Sequence, residues 1–144
     1  MRANRSVVPL LAGLLLALAA ACGTPQTIGQ ATVAGKKFHE RLNAQDAAAI
    51  YADADPQFRQ ATKLEDLTAL VNRVHDKLGA VTDPTRTGFN VNFNAGGSTI
   101  TLTYSTKFQL GEAQETFLWR KQGESMKLLN YRIQSSALND ANLQ

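Results

Sequence analysis

The spacing of the hydrophobic positions changes midway along the chain, from the three-and-four spacing of helices to strict alternation. The clearest helical pattern has apolar residues three and four positions apart, at Leu64, Leu67, Leu70, Val71, Val74 and Leu78. Glu65 and Asp66 at its start complement the positive end of a helix dipole. Thr62 and Glu65 form a capping box, and Gly79 follows as a C-cap. The pattern predicts an amphipathic helix that ends at Gly79.

Two shorter helices are predicted before this one. In the segment 32–42, Phe38 and Leu42 lie four positions apart among charged residues, which predicts a short amphipathic helix. Asp46 is placed to cap a second helix over residues 47–54.

The second half alternates with the period of two that is typical of half-buried strands. Residues 89–93 alternate strictly, and the turn at 94–97 leads into a second strand over 98–108. Two more strands follow Gly111 and the turn at 122–124, and the short connections favour an antiparallel meander. The predicted inward residues are Ile100, Leu102, Tyr104, Phe108, Ala113, Phe117, Trp119, Leu129, Tyr131 and Ile133.

Together these elements predict an α+β fold, with about three N-terminal helices packed on one face of a bent four-stranded antiparallel sheet. Leu70 and Val74 of the third helix are expected to form one buried cluster with Phe117, Trp119 and Tyr131 of the sheet, because each lies on the apolar side of its own element.

The N-terminus has the three-part layout of a secretory signal peptide. Arg2 and Arg5 precede an apolar stretch over residues 7–18, and the small residues 19–21 follow. Pro9 interrupts the stretch, which is shorter than the roughly 20 residues that a spanning helix needs. This disfavours a transmembrane anchor, and the protein is expected to be exported.

Cys22, the only cysteine, directly follows this leader. The junction resembles the lipobox of bacterial lipoproteins, with Ala19 at the position that usually carries a large aliphatic residue. The resemblance implies lipidation of Cys22 with acyl chains such as palmitate, of which two or three hold a protein stably on a membrane. Ordinary signal peptidase is the alternative, since Ala-x-Ala satisfies its rule and it would cut the same bond. Gly23 after the cysteine resembles outer-membrane sorting, facing the periplasm, if the source has two membranes.

The remaining chain suits one domain. Residues 1–21 are assigned to the signal peptide, 22–31 to the lipidated cysteine and an uncharged linker, 32–138 to a single α+β domain and 139–144 to a tail. Two of the 15 basic residues lie in the leader, which leaves 13 against 12 acidic residues and a formal charge of +1. The charge therefore indicates no nucleic-acid partner.

No motif predicts chemistry. His39 and His75 lie far apart without a Cys or His partner at metal spacing, and they are expected to be solvated helix positions. No Walker loop, dinucleotide fingerprint or nucleophile elbow occurs. We therefore expect no metal, no cofactor and no catalytic residue.

A row of polar residues is the candidate binding surface. Asn90 and Asn92 alternate with apolar residues in the first strand, and Thr99, Thr101 and Thr103 do so in the second. If these strands pair, the five side chains share the outer face of the sheet. Such a face either binds a partner or is the wetted side of a half-buried sheet.

The order of the elements, the Leu78-Gly79 helix end and a closing hairpin with Trp119 and residues 129–133 resemble a group of small exported domains, the nuclear-transport-factor-2-like and cystatin-like group. The resemblance covers roughly residues 33–136. It implies a cone-like fold that encloses a pocket, but no one activity, because the group includes enzymes, binding domains and assembly subunits.

The preferred interpretation is a membrane-anchored, non-catalytic envelope module that binds a protein partner or a small ligand. The alternative, taken from pocketed members of the group, is a small isomerase or hydrolase with an acid and tyrosines inside the cone. Its candidates would be Tyr51, Asp53, Asp55, Tyr104 and Tyr131. The alternation places no Asp or Glu on an inward face, and such catalysis needs a buried acid.

Replacing the cysteine tests the anchor. Cys22→Ala should move the protein from the membrane fraction to the soluble exported fraction and leave it folded, because Cys22 lies outside every predicted element. Fractionation and intact-mass measurement check this. A mature wild-type mass with unmodified Cys22 would refute lipidation.

Overall fold

The computed structural model describes residues 23–139, so the leader, Cys22 and residues 140–144 lie outside it. Helices precede strands along most of the chain: α1 (Gly23–Asn43), α2 (Ala47–Asp53), α3 (Pro56–Ala61), α4 (Leu64–Leu78), β1 (Val81–Asn94), β2 (Gly97–Phe108), β3 (Gly111–Gln122), β4 (Ser125–Gln134) and α5 (Ser136–Asn139). The predicted α+β class is confirmed, with one antiparallel sheet in the order β1-β2-β3-β4. The described residues contain five helices, not three. None of these helices has the length and apolar character needed to cross a bilayer.

The first helix is longer than the pattern predicts. The described part of the predicted linker, residues 23–31, forms the start of α1 instead. Pro25 lies in the first turn, where a helix loses no hydrogen bond to proline. Thr27 and Ala31 are buried, so the uncharged segment is one side of a packed helix, not a linker.

The helix ends are set by local capping. Asp46 caps α2 as predicted, accepting a hydrogen bond from the backbone N–H three residues on (2.9 Å). Asp55 caps an unpredicted helix, α3, whose first residue is Pro56. Thr62 therefore ends α3, and the predicted capping box is wrong because α4 begins without a side-chain cap. Gly79 ends α4 with a φ of 75°, as a glycine C-cap does.

A bulge in β4 changes which residues face inward. The pairing of β3 with β4 shifts at Leu129, which has no partner in the register. Leu128 pairs with Trp119 and is buried, and beyond the bulge Tyr131 pairs with Phe117. An extra residue inverts the alternation of a strand. The prediction that Leu129 faces inward was therefore wrong, although Tyr131 faces inward as predicted.

The core lies between the helices and the inner face of the sheet, with α1 against all four strands and α4 packed on α1 and α2. The buried stripe of α4 comprises Leu67, Val71, Val74 and Leu78. The predicted cluster is confirmed for Val74, Phe117 and Trp119, which are buried in this core. Leu70 and Tyr131 are only partly buried and pack against its margin.

The inner face of β1 is left partly uncovered. Phe89 pairs with Leu102, which is fully buried, so both side chains lie on the inner side of the sheet. Phe89 and Phe93 are nevertheless 56% and 64% exposed. The sheet is therefore open at this edge, and Phe89 and Phe93 are not core residues despite their alternation.

Two leucines of α4 offer a matched test of the core. Leu67→Ala should lower the free energy of unfolding by about 2 to 5 kcal/mol, because Leu67 is fully packed. Leu70→Ala should cost clearly less, since Leu70 lies at the margin of the core. The change in helix propensity is the same in both, so denaturant unfolding compares burial alone. Equal losses would contradict the packing described above.

Candidate functional site

The predicted polar row lies on adjacent strands. The register pairs Asn90 with Thr101 and Asn92 with Thr99, and places Thr103 opposite Gly88. The strand pairing on which the row depends is therefore observed. The asparagines are exposed and the threonines partly exposed. The function of this row as a binding surface stays a prediction.

A carboxylate is buried on the inner face of β3. Glu115 is 1% exposed, and its Oε2 accepts a hydrogen bond from the Thr106 hydroxyl (2.5 Å). His39 Nε2 lies 2.8 Å from the same oxygen and carries the hydrogen, because a carboxylate only accepts. The Tyr131 hydroxyl donates to Oε1 (2.6 Å). We refer to Glu115, His39, Thr106 and Tyr131 as the Glu115 cluster.

This cluster corrects two predictions. His39 is buried, not solvated, although His75 is exposed as expected. The statement that no acid faces inward was also wrong. Glu115 lies two positions from both Ala113 and Phe117, so the alternation itself contained the signal.

Aromatic rings enclose the Glu115 cluster. The ring centroids of Phe38 and Phe117 lie 4.5 and 5.0 Å from that of Tyr131. Burial, together with the nearby Glu115 carboxylate, raises the pKa of Tyr131 well above its ordinary value. Its hydroxyl therefore remains protonated and able to donate. Burial also raises the pKa of Tyr104, a core residue of β2 as predicted.

The other candidates of the enzymatic alternative serve as connections between elements. Tyr51 donates from its hydroxyl to the Arg59 carbonyl (3.0 Å). Asp55 is fully buried, and Arg120 Nη1 donates to its two oxygens at 3.1 and 3.2 Å. Gln122 adds a third bond from β3 at 3.1 Å. Asp55 thus caps α3 and is buried.

A cavity of about 490 Å³ lies between α1, α2 and the β3–β4 hairpin. This volume lies within the range of roughly 300 to 1,000 Å³ that is usual for small-molecule sites. Its floor is apolar and formed by Ala34, Phe38, Ile50, Trp119, Met126 and Leu128. A second cavity, of about 220 Å³, is smaller than that range and borders Tyr131. We treat the larger one as the candidate ligand cavity.

Three cations surround one carboxylate at the rim of the ligand cavity. Lys127 Nζ lies 2.6 Å from Oδ1 of Asp53, while Arg41 Nη1 and Lys37 Nζ lie 3.1 and 3.4 Å from Oδ2. The Lys127 hydrogen bond outweighs desolvation and, with the other two cations, lowers the pKa of Asp53 to about 2. Asp53 is therefore ionised at neutral pH, and it is not the proton-holding acid that the enzymatic alternative needs.

Two buried polar side-chain atoms among residues 23–139 have no hydrogen-bond partner: Nε1 of Trp119 and Oε1 of Gln30. Both residues line the ligand cavity. A buried polar group without a partner costs about 1 to 3 kcal/mol. Both atoms are fully buried behind the surface of the cavity, so they do not themselves face a bound molecule.

Comparison with known proteins gives no match to a family model and no significant match to a curated protein. Within residues 23–139, no three His, Cys, Asp or Glu side chains come together to hold a metal ion. The ligand cavity and the Glu115 cluster are therefore interpreted from their own geometry. The spacing of residues predicts none of the lining of the cavity, because its walls come from helices and strands that are distant in the chain.

Asp53→Asn should reduce the loss of stability in acid. The pKa of Asp53 is lowered from 3.8 to about 2 by folding, so its ion pairs stabilise the protein fully above pH 3.8. This contribution is lost as the pH falls toward 2. Denaturant unfolding of wild type and variant between about pH 6 and pH 2 measures this difference. The other carboxylates are the same in both proteins, so their contribution cancels. If the free energy of unfolding falls with pH in the same way in both proteins, the ion pairs of Asp53 do not stabilise the fold as described.

Proposed function

We propose that this protein is an exported lipoprotein that acts as a non-catalytic binding module of the cell envelope, with a small ligand in the cavity between α1, α2 and the β3–β4 hairpin. The observation that carries the proposal is this cavity, whose apolar floor lies beside a charged rim. An apolar pocket with few polar groups is the usual form of a ligand site.

The cavity favours a partly apolar ligand. Burying apolar ligand surface on its floor contributes about 25 cal/mol per Å². Charged side chains at the rim, among them Lys37 and Lys127, are placed to contact the polar part of a ligand. The apolar floor therefore provides affinity and the rim orients the ligand.

The proposed anchor lies near this cavity. Gly29 lines the cavity six residues beyond Gly23, which is about 9 Å along a helix. Lipidation of Cys22, directly before Gly23, would hold the cavity at the membrane surface, on the periplasmic side of the outer membrane if the source has two membranes. The cone-like shape of the nuclear-transport-factor-2-like group belongs to the same proposal, and a cavity between helices and sheet supports it.

The Glu115 cluster supports a second candidate, a small isomerase or hydrolase. Glu115, His39 and Tyr131 are groups that perform acid–base chemistry. Glu115 and His39 do not line the ligand cavity, however, and the ring of Phe38 stands between the cavity and Tyr131, at a centroid distance of 4.5 Å. A substrate in the ligand cavity would reach Tyr131 only after Phe38 moves, and the second cavity, which borders Tyr131, is smaller than the usual ligand site. Binding is therefore the function that the geometry supports better.

A neutral apolar dye tests the ligand cavity. Trp119 is the only tryptophan of the chain, so energy transfer from its indole to phenylnaphthylamine reports binding at this site. In the exported Cys22→Ala protein, the dye should bind saturably. Gly29→Phe should weaken binding about tenfold or more, because its ring fills the cavity. A Cβ at Gly29 meets no atom within 4 Å, so this substitution does not disturb packing at that position.

The matched control is Gly29→Ala, which makes the same backbone change but leaves the cavity open. Its affinity should equal that of wild type. Equal binding by the phenylalanine variant, or no saturable binding by wild type, would refute the proposal. A folded Glu115→Gln protein that still binds the dye but fails to complement a deletion strain would favour the enzymatic candidate.

A further inference from the structure

We infer that the ligand of this cavity is an amphipathic anion, with an apolar chain on the cavity floor and a carboxylate-like or phosphate-like head among the rim cations. This assignment rests on the proposed function and specifies its ligand class. It follows from the arrangement of charges around an apolar floor.

The rim cations have N–H donors that do not contact Asp53. Arg41 contacts Asp53 through Nη1 alone, whereas a guanidinium carries five N–H donors. Lys37 is the most loosely held of the three cations, with a side chain that is 57% exposed and an ammonium 3.4 Å from Asp53. An anionic head can therefore bind Lys37 and Arg41 without displacing Asp53 from Lys127.

The acidic groups of the lining do not cancel this charge. Asp53 and Glu124 are its two carboxylates, against the three cations Lys37, Arg41 and Lys127, so the lining carries a net charge of +1. Glu124 lies on the turn between β3 and β4, and it accepts a hydrogen bond from the Gln30 amide (2.8 Å). A cationic head would therefore meet net repulsion where an anionic head meets attraction.

The floor determines the other half of the ligand. Phe38, Ile50, Trp119 and Leu128 are buried and line the cavity side by side with no charged group among them. A small inorganic anion would satisfy the rim and leave this surface empty. A molecule with both an apolar chain and an anionic head uses both parts of the lining.

Three amphiphiles with the same chain isolate the contribution of the head. Dodecanoate, dodecanol and dodecyltrimethylammonium should each be titrated, as monomers, against phenylnaphthylamine bound to the Cys22→Ala protein. Dodecanoate should displace the dye at the lowest concentration, about tenfold below dodecyltrimethylammonium. This preference should shrink as salt is raised, because the rim is partly exposed to solvent.

Substitutions at the rim should move the dodecanoate affinity in opposite directions. Lys37→Gln should weaken it about fivefold, the ratio expected for a partly exposed ion pair. Asp53→Asn should strengthen it, because the three cations then lack their internal carboxylate. Lys36→Gln is the matched control, since Lys36 is exposed on the same helix and does not line the cavity. Its affinity should be unchanged.

Two sources of such an anion are distinguished with vesicles. The protein is incubated with phosphatidylglycerol or with phosphatidylcholine vesicles, separated by centrifugation and measured by native mass spectrometry. Phosphatidylglycerol carried by the recovered protein supports the assignment with a membrane lipid as the source. Protein recovered without lipid, but with the dodecanoate preference intact, supports it with a free amphiphile as the source.

The inference fails separately from the proposed function. If phenylnaphthylamine binds but the three heads displace it equally, or if dodecyltrimethylammonium is strongest, the ligand is not an anion and the binding module stands. If Lys37→Gln and Lys36→Gln change dodecanoate affinity equally, the rim does not hold the head. If the dye does not bind at all, the proposed function itself is refuted.

Discussion

The position of α1 depends on one buried carboxylate. Glu115 on β3 receives hydrogen bonds from His39 on α1, Thr106 on β2 and Tyr131 on β4, so a single side chain joins four elements. A buried charge is tolerated only when such donors replace its water, and losing one partner leaves it uncompensated. The bond from His39 attaches α1 to the sheet, and Ala31, Phe38 and Leu42 pack the same helix into the core. Phe38, next to His39, is thereby directed into the core and toward the ligand cavity.

A second buried carboxylate holds the opposite wall of the cavity. Asp55, at the junction of α2 and α3, is bound by Arg120 of β3, and its backbone N–H donates to the carbonyl of Leu128 (2.9 Å). Leu128 stands beside the β4 bulge at Leu129 and forms part of the cavity floor. The two walls are thus attached to the same sheet by separate polar contacts. The cavity therefore lies between elements that are each attached to the sheet.

Much of the fold could be predicted because its signals are local. The alternation of β2 and β3 and the apolar stripe of α4 are each read within one element. The alternation is as predicted, and four of the six stripe residues are buried, but Leu64 is exposed and Leu70 lies at the margin of the core. The bulge at Leu129 and the packing of Thr27 depend on contacts between elements, and periodicity contains no information about them. Glu115 was on the predicted inward face, but its partner His39 lies 76 positions away. A buried charged residue is predicted only when its partner can be identified, and the spacing around Ala113 and Phe117 does not identify His39.

The two polar sites differ in whether their hydrogen bonds are complete. Each carboxylate oxygen of Glu115 has a donor, so the cluster is satisfied within the protein and its contribution is to structure. The ligand cavity is the reverse, with three cations around the single carboxylate of Asp53 beside an apolar floor. An added molecule gains nothing at the first site and gains both apolar burial and new polar contacts at the second. Amphipathic anions concentrate at membrane surfaces, and the cavity, which begins about 9 Å along α1 from Gly23, would meet them there if Cys22 carries the proposed lipid.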